Sequence, residues 1–189
     1  EKNLSTKFEL VKTETPNEAL DFIKDKKCDF LSLAVRTPLM QKELNLSSTI
    51  FKVPLVIATK LNVPFINKLE NLKEEKIAVP RKYLNIDFFK SKYSNLNIVE
   101  VENVQEGLKL LKEGKVYGSV GTLYTVSYRI QSEYFNDLKI AGKINDELEF
   151  VIGVNKNDEI LLNILQKSIN KIDELHTKEI IDKWASTIY

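Results

Sequence analysis

One histidine, one cysteine and six glycines among 189 residues leave little material for the familiar site chemistries. Cys28 has no partner with which to form an internal disulfide, so cysteine usage does not decide the redox compartment. His176 lies in a polar stretch between two helical patterns, with no acid, serine or cysteine at a partner spacing, and so supports neither a catalytic triad nor a histidine metal site. The glycines form neither the GxGxxG fingerprint nor a P-loop, which leaves nucleotide use unsupported. No catalytic residue, metal ligand or cofactor is expected.

Charge of one sign is also lacking. Lys and Arg number 28 against 27 Asp and Glu, a net charge of +1, and the lysines are scattered rather than gathered into a stripe. A nucleic-acid partner is therefore not expected. The longest apolar runs, such as Val53–Thr59, are too short to span a bilayer, and no charged-then-apolar leader opens the sequence, so the chain is expected to be water-soluble. A hydrophobic share of 43% still suffices for a core in one domain or two small lobes.

The pattern that is present centres on Lys76–Ser127. Three short apolar runs (IAV, NIVEV, VYGSVG) are each followed by a helix-like segment, which reads as a β-α-β-α-β-α unit. Strands joined by crossover helices run parallel, and ligands gather beyond their carboxyl ends where strand order reverses. In the usual 2-1-3 order the first and third loops, Pro80–Leu84 and Gly121–Tyr124, lie side by side, so site chemistry is expected there.

Before this unit, Lys7–Lys12 alternates as a strand would, Thr15-Pro16-Asn17-Glu18 has the form of a capping box, and Asp29–Val35 reads as a buried strand. It ends at Arg36-Thr37-Pro38, where Thr37 is placed to cap the segment Pro38–Glu43. Leu55–Thr59 is the most β-prone run, a lobe boundary is placed near Lys52–Val56, and a short surface helix is expected between Asn62 and Glu75. Asn103-Val104-Gln105-Glu106 is a second capping box, with Gly114 stopping its helix. Beyond the unit, Leu138–Ala141 and Leu148–Asn155 read as strands, the latter matching Leu55–Thr59 as the second strand of a hinge. Amphipathic helices over Asp158–Ile172 and from Thr177 to about Thr187 are expected to pack on the first lobe, Trp184 as an anchor.

These features, together with Asn45-Leu46-Ser47, Gly114-Lys115-Val116, Leu138-Lys-Ile-Ala-Gly and the late Asp182-Lys-Trp, give the chain a resemblance, over essentially its whole length, to the family 3 bacterial solute-binding proteins. The likeness is strongest to versions fused to sensor histidine kinases and diguanylate cyclases. It implies an α/β, type II periplasmic-binding-protein-like fold, with two α/β lobes joined by a two-strand hinge. Lobe 1 would hold residues 1–53 and 156–189, lobe 2 residues 54–155, and the first lobe would be incomplete, because family members begin with a further strand and helix that form one wall of the cleft. The arginine that clamps a ligand carboxylate in amino-acid binders corresponds here to Met40, the aspartate that takes the ammonium to Gly121 or Thr122, and the usual tyrosine before the first hinge strand to Ile50. A closed cleft that pairs neither charge of a zwitterion would cost several kcal/mol, of the order of an unpaired buried charge.

The function expected is that of an extracytoplasmic, periplasmic small-molecule sensor domain, non-enzymatic and tethered to a membrane in the full-length protein. Alternatives are the solute-binding component of an ABC transporter, a periplasmic dehydratase-like enzyme, or a degenerate interaction domain. The candidate ligand groups are Arg36 and Thr37 from the first lobe and Tyr83, Thr122 and Tyr124 from the second. Arg36 is the lone cation among them, with no carboxylate expected opposite it, which favours an anionic or neutral ligand. A homo-oligomer or strand exchange is expected to cover the incomplete first lobe.

Overall fold

The computed structural model describes residues 4–81, 86–172 and 179. In chain order the first elements are α1 (Pro16–Lys24), β1 (Phe30–Val35), α2 (Pro38–Glu43), β2 (Leu44–Leu46), β3 (Phe51–Lys60) and β4 (Lys76–Pro80). There follow α3 (Ile86–Lys92), β5 (Asn97–Val101), α4 (Val104–Lys112), β6 (Gly118–Thr122), α5 (Leu123–Arg129), β7 (Leu138–Asn155) and α6 (Glu159–Ile169). The described residues pack as two compact units. The first runs up to Lys52 and resumes at Glu149, and the second is Val53–Leu148.

In the first unit, β1 and β2 both run antiparallel to the end of β7, with Val35 opposite Phe150 and Leu46 opposite Gly153. Helix α1 begins where the Thr15 hydroxyl accepts the Glu18 N–H at 3.1 Å. The Glu18 carboxylate reaches back to the Glu14 N–H at 2.6 Å, one residue earlier than a reciprocal box would place it. The inward positions of α1, Leu20 and Ile23, form a small core with Leu44, and Cys28, Leu31, Met40 and Leu46 pack against it. Helix α6 buries Leu165 and Ile169. Its Gln166 also takes the Ser48 N–H at 2.7 Å, which fixes the chain between β2 and β3.

The second unit is built on the parallel trio β5-β4-β6, with β3 added antiparallel to β6. Crossover helices dictate that arrangement, because a strand reached through a helix returns in the same direction. Helix α4 starts at Asn103, whose side chain accepts the Glu106 N–H at 3.0 Å. It stops at Gly114, where a φ of 73° suits glycine. Leu108 and Leu111 of α4 are fully buried beside Val56, Ala58, Ala78, Val126 and Leu138. Each such leucine contributes about 1.5–3 kcal/mol relative to an exposed position.

Three expected elements differ. No strand forms over residues 7–12, since alternation alone does not supply a ladder; Phe8 packs edge-on against Phe30 while Leu10 is 81% exposed. The two strands read at Leu138–Ala141 and Leu148–Asn155 are one strand of 18 residues, because the intervening stretch stays extended and buries Ile144. The helix expected between Asn62 and Glu75 is reduced to a 3-10 turn at Leu69–Asn71, since Pro64 blocks helical geometry at the preceding residue and few apolar positions anchor the remainder. The last expected helix, Trp184 and His176 lie outside the described residues.

Candidate functional site

In the second unit strand order reverses at β4: the chain leaves it for β5 on one side and returns to β6 on the other. The carboxyl ends of β4 and β6 are thus neighbours within this unit, as the 2-1-3 reading expects. Thr122 ends β6 and caps α5, its hydroxyl accepting the Thr125 N–H at 3.4 Å and donating to the Thr125 hydroxyl at 2.9 Å. Tyr124, half-buried, follows in the first turn of α5. Tyr83, the third candidate here, lies outside the described residues. Arg81, which sequence reasoning passed over, follows β4 directly and forms an ion pair with Glu102 just past the end of β5. At Gly121 a Cβ would stand 2.7 Å from Val126 Cγ2 and 3.0 Å from Val104 Cγ2, so no side chain fits there without a shift.

The first unit repeats the device. Thr37 follows β1 and caps α2, its hydroxyl accepting the Met40 N–H at 3.2 Å. Met40, at the clamp-arginine position, packs on the Leu20–Ile23–Leu44 core instead. Arg36 does have a carboxylate opposite it, contrary to expectation. Its Nε donates to Glu149 Oε2 at 3.0 Å, Nη2 donates to the Ser47 carbonyl at 2.8 Å, and its backbone N–H donates to the Glu149 carbonyl at 2.9 Å. The pairing arises because Arg36 continues the β1 ladder by one residue along β7, which sets it against an acidic position 113 residues later.

Glu149 is saturated. Lys52 Nζ lies 3.0 Å from Oε1, and the Thr49 hydroxyl donates to Oε2 at 2.9 Å. The hydrogen bonds from Lys52 and Thr49, with the nearby charges of Lys52 and Arg36, hold its carboxyl below the usual carboxylate range despite partial desolvation. Stacking of Phe51 on Phe150, 4.9 Å between ring centres, braces the strands that carry Lys52 and Glu149. The sequence hint was an acidic residue at the head of the apolar run FVIGV, a place where an exposed strand position ordinarily needs no partner. A group with a lowered folded pKa stabilises above its unfolded value of 4.5 and loses that contribution as pH falls through the folded value. Glu149→Gln is thus expected to cost about 1 kcal/mol or less in urea unfolding at pH 7, as partly exposed ion pairs do. Repeated at pH 3, the gap from wild type should narrow; a gap that widens there contradicts this account.

A surface concavity of about 290 Å³ is lined by Lys60, Leu61, Asn62, Lys112, Asn136 and Asp137. It lies at the other end of the sheet from Thr122, because Leu55 pairs with Thr122 while Lys60 ends β3, and Lys112 there is paired with Asp137 at 2.9 Å. It brings no candidate residue together.

The fold is that of the bilobed type II periplasmic-binding-protein, or Venus flytrap, domains. Similar solved structures include the periplasmic VFT2 domain of BvgS from Bordetella pertussis, with a TM-score of 0.83 at 20% identity over 94% of this chain and 76% of that one. The arginine-bound form of a truncated ArgBP from T. maritima matches with a TM-score of 0.71 at 20% identity, over 91% of this chain and 80% of that one. The GluR0 ligand-binding core from Nostoc punctiforme, in complex with (L)-glutamate, matches with a TM-score of 0.75 at 18% identity, over 97% and 85%. No family model matches the sequence, and no curated protein matches it. At these identities the likeness is one of fold. Among the described residues no helix is long and apolar enough to cross a membrane.

Proposed function

We propose that this chain is a small-molecule ligand-binding domain that works on the extracytoplasmic side of a bacterial membrane as the sensor of a signalling protein, ligand occupancy being read out as a conformational change. The observation that supports the reading is the reversal of strand order at β4, which sets the carboxyl end of β4 beside that of β6, the kind of place where open α/β sheets hold ligands; Thr122 and Tyr124 are the proposed groups there. Arg36 and Thr37, at a strand end of the first unit, and Tyr83 are further proposed ligand groups. Two similar folds, ArgBP and the GluR0 core, hold arginine and glutamate, which supports a small polar ligand. The resemblance of the sequence to sensor-attached versions favours a sensor over a transporter component. The ArgBP likeness keeps the transporter reading open, and the gene's remaining sequence separates the two: a membrane segment and an output domain in one chain mark the sensor.

Binding fits better than catalysis. The carboxylate at Arg36 is held ionised, with both oxygens engaged, and so makes a weak general base. With Met40, and Gly121 or Thr122, at the positions where the resemblance implies the groups that pair a zwitterion, an anionic or neutral small molecule is the proposed ligand class. Calorimetry on the full extracellular region, with a panel of amino acids, polyamines and small organic acids, tests this. An organic acid is expected to bind, with Arg36→Ala weakening it by about tenfold or more, the worth of a charge-assisted hydrogen bond. Tight binding of a free amino acid that survives Arg36→Ala overturns the ligand class and the residue assignment.

A further inference from the structure

Arg36, Glu149, Thr49, Lys52 and the Ser47 carbonyl form one polar cluster within the first unit. A guanidinium has five N–H donors in a rigid plane. Glu149 occupies Nε and Ser47 one hydrogen of Nη2, while among the described residues Nη1 has no partner. The side chain is 27% exposed, so solvent reaches it. Because Lys52 and Thr49 bind the same carboxylate, Glu149 is fixed independently of Arg36 and cannot turn away without stranding three donors.

We infer that Glu149 is a positioning residue which, with Ser47, holds one edge of Arg36 and thereby presents the Nη1 and Nη2 end as a fork for a ligand carboxylate. A planar carboxylate meets two parallel N–H groups at once, which a neutral ligand or an ammonium does not. This assignment rests on the ligand-binding reading above and narrows its ligand to a carboxylate.

The test uses the whole chain with acetate and succinate as probes, nitrogen-15 NMR of the arginine side chains, and calorimetry. In the wild type the Arg36 Nε–H is expected to exchange slowly with water, and both probes should shift its Nη signals. In Glu149→Gln the Nε–H should lose that protection and succinate should bind about tenfold more weakly, the loss of one charge-assisted contact. Thr49→Val, which loosens the same carboxylate oxygen without touching Arg36, should weaken succinate less and in the same direction, and it supplies the measurement if Glu149→Gln fails to fold. In an Arg36→Ala background Glu149→Gln should change succinate affinity no further, whereas a merely structural role makes the two losses add. Additive losses, tighter succinate binding in Glu149→Gln, or Arg36 signals that neither probe moves would each overturn the inference. If the probes leave Arg36 unmoved while the domain binds another compound, the ligand-binding reading stands and this one falls. If they move Arg36 but nothing in the wider panel binds tightly, the contact is an adventitious ion only and both readings fall.

Discussion

Gly142→Ala is expected to cost about 3 kcal/mol or more, the upper part of the overpacking range. A Cβ at Gly142 would stand 2.3 Å from the Ile66 carbonyl oxygen and 3.3 Å from its carbon. The obstacle is backbone, so no rotamer change relieves it, and Ile66 is held in place by its own N–H donating to the Ala141 carbonyl at 2.7 Å. To accept the methyl group, β7 and the 66 segment must separate and give up that bond. Elsewhere in a strand the same substitution would stabilise by about 0.5–1 kcal/mol through reduced chain entropy, so the sign itself is diagnostic. Total stability for such domains is about 5–15 kcal/mol, so the variant should show a clearly lower urea midpoint with an unchanged slope. A loss below about 1 kcal/mol would mean that the contact between β7 and Ile66 is not as described.

The second large effect is a reversal of sign between two backgrounds. Gly107 of α4 lies over Ser119 of β6, and a Cβ added at Gly107 would be 2.4 Å from the Ser119 hydroxyl oxygen but 3.5 Å from its Cβ. That hydroxyl is fully buried and has no hydrogen-bond partner among the described residues. Gly107→Ala alone is expected to destabilise by about 2 kcal/mol, as an overpacked core site does. Ser119→Ala alone should stabilise by about 1 kcal/mol, since it removes a buried polar group that makes no compensating bond. In the Ser119→Ala background, Gly107→Ala meets only ordinary contacts, the next nearest being Ala78 Cβ at 3.4 Å, and should stabilise by about 1 kcal/mol through helix propensity. Thermal unfolding of the four proteins decides the matter, and simple additivity would rule out the contact.

Most of the architecture was legible because it is written in local periods. Helices α1, α4 and α6, the N-caps at Thr15 and Asn103, the glycine stop at Gly114 and the parallel trio follow from spacing that tertiary context did not override. Residues 7–12 show the limit: an alternating pattern promises a strand, but a strand is a relation between two segments, and the second cannot be read from the first. The break assumed within β7 shows the converse, since Gly142, Asn145 and Asp146 look like a turn, yet the stretch stays extended and buries Ile144. Among the candidate groups, Thr37 was visible as a cap because capping is local, whereas Thr122 was singled out only by its strand end and its cap on α5 came from the structure. Glu149 was not visible, for its partner is chosen by strand register across more than a hundred residues, and register is a property of the fold. Met40 was visible only as a departure, and its packing on Leu20, Ile23 and Leu44 supplies the reason.

The order in which the chain emerges gives β7 one more consequence. Strands β1 and β2 appear early, yet their ladder partners, Phe30 with Val154 and Leu44 with Asn155, come only after the whole second unit has been made. During synthesis the second unit can close on its own local contacts, while β1 and β2 of the first wait without their ladder partners. Closing so long a loop costs little more entropy than closing a shorter one, because the penalty grows only with the logarithm of length. The delay is therefore one of time rather than of equilibrium stability, and the exposed half-sheet of the first unit is the part of the nascent chain most in need of a chaperone.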